Sequence, residues 1–124
     1  PFHTLIPGFV TRTVSGRDQA YMSFGLMGGG MQAQGHVQFL LNYFIFEMDL
    51  QAAIDAPRFR HYEGQRVALE APVGDAVRAA LRAMGHVVVD QPAGAFGGAQ
   101  AIVRLPEGFA AASDPRKDGM AVGY

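Results

Sequence analysis

Phe24-Gly25-Leu26-Met27-Gly28-Gly29-Gly30, with His36 to Phe46 (HVQFLLNYFIF) behind it, is the stretch that decides the fold. Ahead of the glycines, Ala20 to Phe24 reads as a strand. Behind them Val37, Leu40, Leu41, Phe44 and Ile45 recur at three- and four-residue spacing, the period of a helix. Phe39 and Phe46 add a second apolar face, so this helix is expected to be buried on more than one side. Glycines between a strand and a helix let the backbone approach a ligand and present free N–H groups to it. Three readings stand side by side: a phosphate cradle, an oxyanion hole, or a tight turn that needs positive φ. The phosphate reading lacks both a following Lys-Ser/Thr and GxGxxG spacing.

Upstream, Leu5 to Val14 is rich in β-branched and aromatic residues, and Ser15-Gly16-Arg17-Asp18 is a turn signal. The two strands therefore form a hairpin. Downstream, Asp49 is placed to cap a short helix over Leu50 to Asp55, and Pro57 stops it by crowding Ala56 out of the α region. Arg58 to Tyr62 and Arg66 to Glu70 read as strands around Glu63-Gly64. Gly74 to Met84 is an amphipathic helix with Val77, Leu81 and Met84 in one stripe and Gly85 just past its end. His86 to Asp90 is a strand, Gln91 to Gly98 a loop, and Ala99 to Leu105 with Phe109 to Ala112 a last hairpin. The order β-β-α-α-β-β-α-β-β-β points to an α+β fold rather than a doubly wound parallel sheet.

The chain has 124 residues, enough for one domain. Hydrophobic residues make up 49% and charged residues 17%, which supplies a core and excludes intrinsic disorder. Lys and Arg number 10 against 11 Asp and Glu, a net charge of −1, so no basic excess is present for nucleic acid. The apolar run Phe39 to Phe46 is far short of the ~20 residues that span a bilayer, and no signal peptide is visible. Without Cys there is no disulfide, zinc-thiolate or thiol nucleophile, and the compartment is left open. A chain opening Pro1-Phe2-His3 without Met reads as a piece of a larger protein.

Three further sets of residues invite chemistry. His3 and Thr4 are adjacent, but neighbours in a strand point to opposite faces, so they suit binding a substrate's polar end better than acting as base and nucleophile. His3, His36, His61 and His86 contain no pair at the three- to five-residue spacing of a helical metal site, so no metal is assigned. His36 reads as a satisfied interior or interface residue. In Ser113-Asp114-Pro115-Arg116-Lys117-Asp118-Gly119, Asp114 suits an Asx-type turn and Arg116 a carboxylate partner, and the segment reads as a structural turn with surface charges.

Pro1-Phe2-His3-Thr4-Leu5-Ile6-Pro7, Phe24 to Gly29, Asp55-Ala56-Pro57-Arg58-Phe59, Phe96-Gly97-Gly98-Ala99-Gln100-Ala101, and Ser113-Asp114-Pro115-Arg116 with Gly119, Gly123 and Tyr124 together resemble the γ-glutamyltransferase (γ-glutamyltranspeptidase) family. The pieces occur in the family's order across the whole chain, which is similar to the C-terminal part of the small subunit. The resemblance implies an N-terminal-nucleophile hydrolase, a four-layer αββα sandwich made from two subunits, of which residues 1–124 are a partial copy. It implies a precursor that cuts itself and a new N-terminal Thr that attacks a γ-glutamyl amide such as glutathione. The acyl group then passes to water, an amino acid or a peptide, with the Thr α-amino group as base and no cofactor. Gly28 and Gly29 match the glycine pair whose amides form the oxyanion hole. His3 and Thr4 fall on a serine pair that holds the donor's α-carboxylate. Thr4 keeps the hydroxyl and His3 does not, which fits a branch acting on other γ-glutamyl or acyl amides. Met27 replaces a proline common before the glycines.

No Thr-initiated nucleophile segment lies among Thr4, Thr11 and Thr13. The chain is therefore expected to lack turnover by itself, to lack a central strand of the sheet, and to expose open edges until the rest of the enzyme covers them. Its expected partners are the large subunit, the N-terminal part of the small subunit and a small-molecule donor. Two rivals come from other classes. One is a non-catalytic binding or regulatory domain that uses the same turn. The other is a structural fragment that forms a symmetric homo-oligomer through its bare edges.

Overall fold

The computed structural model describes residues 4–123. A four-stranded antiparallel sheet is built from β1 (Pro7–Val14), β2 (Arg17–Met27), β6 (Gly98–Leu105) and β7 (Gly108–Ser113) in the order β1-β2-β6-β7. The two residues between β1 and β2, Ser15 and Gly16, have φ of 51° and 75°. Both positions are left-handed, as the two-residue turn that matches strand twist requires. Alternation along β2 and β6 does the rest. Met22, Phe24 and Leu26 and, opposite them, Val103, Ala101 and Ala99 all point to one face. On that face lie α1 (Gln32–Phe44) and α2 (Leu50–Asp55), whose Phe39, Ala53 and Ile54 complete the core. The Asp49 carboxylate accepts the Ala52 amide at 2.8 Å, the N-cap that the sequence indicates.

The other sheet face is only partly covered, with Ala121, Val122 and Gly123 of the C-terminal tail bordering Ile102, Phe109 and Ala111. Phe9, Ser23, Ile102 and Ala111 stand in one cross-strand row on it. Phe9 is 64% exposed, Ile102 50% and Phe109 73%. Apolar side chains at this density on one face exceed what a solvent surface usually carries.

A second sheet holds β3 (Phe59–His61), β4 (Arg66–Leu69) and β5 (Val87–Val89). β3 runs antiparallel to β4, and β4 runs parallel to β5 across the crossover helix α3 (Asp75–Ala83). Two glutamines of α1 take the place of a strand at β3. Gln34 donates to the His61 carbonyl at 2.9 Å and accepts the His61 amide at 2.7 Å. Gln38, one turn on, donates to the Phe59 carbonyl at 2.9 Å and accepts the Phe59 amide at 3.0 Å. Alternate residues of a strand and i, i+4 residues of a helix have similar spacing, so two side-chain amides satisfy the strand's edge.

The element order and the α+β class follow the sequence reading. Three details differ. α1 starts at Gln32, not His36, directly after a 3₁₀ turn over Gly29–Met31. It also buries one face rather than two. Phe39 is buried, while Val37, Ile45 and Phe46 are 57%, 65% and 65% exposed, because nothing among the described residues covers them. Finally, β2 runs from Arg17 to Met27 rather than from Ala20 to Phe24, because pairing with β1 and β6 extends it at both ends. The four strands of the large sheet are consecutive neighbours, and among the described residues its free edges are β1 and β7. The stripe of α3 faces the second sheet across a 320 Å³ cavity lined by Val67, Leu69, Val77 and Leu81, and no α3 residue is fully buried.

Candidate active site

The turn from β2 into α1 carries the glycines. Gly28 has φ 137° and Gly29 φ 56°, both in the region that L side chains avoid. The Met31 amide donates to the Gly28 carbonyl at 3.1 Å and closes the turn. Among the described residues, nothing accepts from the Gly28 or Gly29 amide. A second glycine backs the turn. A Cβ on Gly97, itself at φ 76°, would stand 2.3 Å from the Met27 carbonyl oxygen and 2.7 Å from Leu26 Cδ2. The Phe96-Gly97-Gly98 loop is thus pressed against the strand end, and any side chain there would push the turn out of place.

His3 lies outside the described residues. Thr4 is exposed, and its carbonyl accepts from Gln32 Nε2 at 2.9 Å. The residues after it, Leu5, Ile6 and Pro7, share a 390 Å³ cavity with Gly25, Leu26 and Met27. The start of the chain and the strand that leads into the glycines thus border one largely apolar space. Gln32 and Gln100 are its polar side chains.

The segment from Ser113 to Gly119 is a turn with the Asx-type contact at Asp114 and the carboxylate partner of Arg116 that the sequence indicates, but Asp114 and Arg116 are not surface charges, contrary to the sequence reading. Asp114 is fully buried, and Arg58 and Glu70 are 2% and 7% exposed. Asp114 Oδ2 accepts from Arg58 Nη2 and from the Ala99 amide, each at 2.7 Å. Its Oδ1 accepts from the Arg116 amide at 2.9 Å and from Arg116 Nη1 at 3.1 Å. Glu70 takes a two-point contact from Arg116, Nε and Nη2 each at 2.6 Å, and also accepts the Arg58 amide at 2.7 Å. Both guanidiniums also cap the last carbonyls of α2. Arg58 reaches Ile54, and Arg116 reaches Ile54 and Ala56, each at 3.0 Å.

Charge balance makes this burial tolerable, since two cations meet two anions and nearly every polar atom has a partner. Burial raises the Asp114 pKa, but the Ala99 and Arg116 amides and Arg58 outweigh it, and the carboxyl stays below its ordinary value. Burial pushes the Arg58 pKa down against the pull of Asp114, and Arg116 is held above its ordinary value because Glu70 and Asp114 outweigh its desolvation. Arg58 Nη1 also donates to the Phe96 carbonyl at 3.1 Å, next to Gly97. The network therefore fixes the loop that backs the glycine turn. The clue in the sequence was the pair of Arg residues beside Pro57 and Pro115. What it lacked was the Glu70 partner, 46 residues from Arg116.

His36 is half-buried and satisfied, as the sequence indicates. Its Nε2 accepts the Leu26 amide at 3.1 Å, and burial lowers its pKa. Among the described residues no three His, Asp or Glu come together to hold a metal, and no helix is long and apolar enough to cross a membrane.

A family model described as gamma-glutamyltranspeptidase matches residues 1–124. The chain belongs to the gamma-glutamyltranspeptidase family. Its similarity to the oxamate amidohydrolase proenzyme of Klebsiella pneumoniae is 36% identity over 132 residues, all of this chain and 24% of that protein. A cephalosporin acylase structure from Bacillus halodurans is 40% identical with a TM-score of 0.89, covering 99% of this chain and 23% of the other. A gamma-glutamyltranspeptidase from Pseudomonas nitroreducens, complexed with L-DON, is 28% identical with a TM-score of 0.86, covering 99% and 63%. The chain thus spans about a quarter of the curated relative's length. Its α+β architecture is part of the N-terminal-nucleophile hydrolase fold of gamma-glutamyltranspeptidases.

Proposed function

We propose that this chain is the oxyanion-hole and donor-pocket portion of an amide-cleaving acyltransferase or hydrolase. The reaction begins when a Thr carried upstream of this chain attacks the donor's amide carbonyl. The Thr oxygen bonds to carbon, and the carbonyl electron pair moves to oxygen. The Gly28 and Gly29 amides receive that oxyanion. Main-chain donors fixed before the reaction stabilise the developing charge without reorganising. The amine then leaves with the proton that the Thr gave up. Water or an acceptor amine attacks the acyl-Thr by the reverse course. The single observation that carries this reading is the pair of adjacent amides held at positive φ at the end of β2, which find no acceptor among the described residues.

His3 and Thr4 bind the donor's polar end, and the sheet face with the exposed Phe9, Ile102 and Phe109 receives the other sheet of the enzyme. The chain by itself has no turnover. The donor is a γ-glutamyl amide such as glutathione. A second reading, a different small acyl amide, is favoured by His3 in place of a serine and by the largely apolar lining beside Met27. The relatives' names span oxamate, cephalosporin and γ-glutamyl chemistry.

The test combines this chain with its upstream half and assays γ-glutamyl-p-nitroanilide, glutathione, oxamate and a cephalosporin side-chain amide. Gly29 sits at φ 56°, where proline, fixed near −65°, would distort the turn as well as remove the N–H. The cleaner perturbation replaces the Gly29 amide by an ester through chain ligation. Loss of about 10²- to 10³-fold in kcat is expected. A well-formed complex that keeps its kcat with the ester, or that cleaves none of these amides, overturns the proposal.

A further inference from the structure

We infer that Gln32 and His36, one turn apart on α1, are positioning residues that hold the donor segment and the oxyanion turn in register. The inference rests on the function proposed above. Residues four apart on a helix share a face, and these two are spent on two different segments of the site. Gln32, 8% exposed, holds the Thr4 carbonyl at 2.9 Å. His36 Nε2 holds the Leu26 amide at 3.1 Å, two residues before Gly28.

The His36 contact fills a gap in the sheet. Pairing of β1 with β2 ends at Pro7 and Gly25. The next amide along β2, that of Leu26, is taken by the imidazole instead of by a strand. Gly35 makes the approach close enough, since a Cβ there would stand 2.4 Å from Leu26 Cδ1. Phe24 packs edge-on against the ring at 5.0 Å and restricts its rotation. The turn runs from β2 through Gly28 and Gly29 into α1. The Met31–Gly28 hydrogen bond closes it at its base and the His36–Leu26 bond ties its two arms ten residues apart. The role uses the neutral ring, because an imidazolium has no acceptor lone pair.

The same helix face thereby sets two positions that different steps of catalysis read. The Leu26 arm governs where the oxyanion donors stand, which is a transition-state quantity. The Thr4 arm governs how the donor is held before reaction. Substitutions should separate along that line. Misplacing a catalytic group by about 1 Å costs on the order of 10²-fold, and loss of a supporting contact typically costs about 10- to 100-fold.

The experiment uses the assembled enzyme with rates normalised to titrated active sites. His36→Leu is expected to lower kcat about 10- to 100-fold with little change in KM. His36→Gln, which restores an acceptor, is expected to recover most of that loss. Gln32→Leu is expected to raise KM roughly 10-fold and to leave kcat near the parent value. If His36→Leu does not assemble, His36→Asn, whose acceptor falls short of Leu26, is expected to show the same kcat loss. The inference is overturned if both variants alter only yield or melting temperature, or if kcat and KM move together in both. The Gly29 ester separates the two levels. If it abolishes turnover while His36→Leu does not affect kcat, only the positioning inference fails. If the ester is harmless, the oxyanion reading fails and this one with it.

Discussion

Replacing Asp114 by Asn tests the claim that the buried charge network, and not the small apolar core alone, fixes the geometry of this chain. The change is almost isosteric. Asp114 accepts four hydrogen bonds, two on each oxygen. In Asn one oxygen becomes an amide N–H₂, so two of the four are lost and two buried donors face a third. The charges no longer cancel either. Arg58 and Arg116 are left with Glu70 alone. Hydrogen bonds to charged groups contribute about 1.5–3 kcal/mol each, and removing one member of a buried pair costs about 3–5 kcal/mol. A loss of about 3–5 kcal/mol is a large share of an ordinary domain's ~5–15 kcal/mol. With a urea m value of about 2 kcal/mol/M, the midpoint falls by about 2 M. Far-ultraviolet circular dichroism is the readout, because the chain has no tryptophan. A fall of less than about 0.5 M would refute the reasoning. Arg58→Met combined with Asp114→Asn should be less damaging than the two single changes added together, since apolar replacement removes the unpaired cation.

The same carboxylate sets an acid limb. The Asp114 pKa in the folded chain lies below its ordinary value of 3.8, so its contribution is complete above that value and is lost as pH falls through the lowered one. Acid unfolding of Asp114→Asn should accordingly be shallower than that of the parent below about pH 4. Gly97→Ala places a Cβ 2.3 Å from the Met27 carbonyl at φ 76°. It should lower stability by about 1–3 kcal/mol, and it should reduce kcat in the assembled enzyme by displacing the glycine turn. An unchanged melting temperature would argue against the close approach. Gln34→Ala and Gln38→Ala each remove two hydrogen bonds from β3. Each should cost about 1–2 kcal/mol, and hydrogen exchange should accelerate selectively at the His61 amide in the first and the Phe59 amide in the second. Uniform exchange across all strands would instead mean that β3 does not depend on these glutamines.

The arrangement of elements was legible in the sequence because it is written in local signals. The Ser15-Gly16 turn, the Asp49 cap and Pro57 each act over a few residues, and each appears in the structure where the sequence places it. The glycine run was legible as a special turn for the same reason, since its meaning lies in backbone angles that only glycine adopts comfortably. The start of α1 was misplaced because Gln32, Ala33 and Gln34 carry no apolar stripe to mark them as helix.

The sequence by itself determined the class, the element order and the location of a turn with main-chain amides to offer. Only the tertiary structure decided that Asp114 is buried and Arg116 half-buried against it. It also decided that Glu70 and Arg58 complete their charge balance, and that α1 holds β3, Thr4 and Leu26 through Gln34, Gln38, Gln32 and His36. The reason is physical. A cap or a turn is satisfied by neighbours along the chain, whereas a buried charge or an unpaired strand amide is satisfied by whatever the fold brings within 3 Å. That partner stands 56 residues away for Asp114 and Arg58, and 10 for His36 and Leu26.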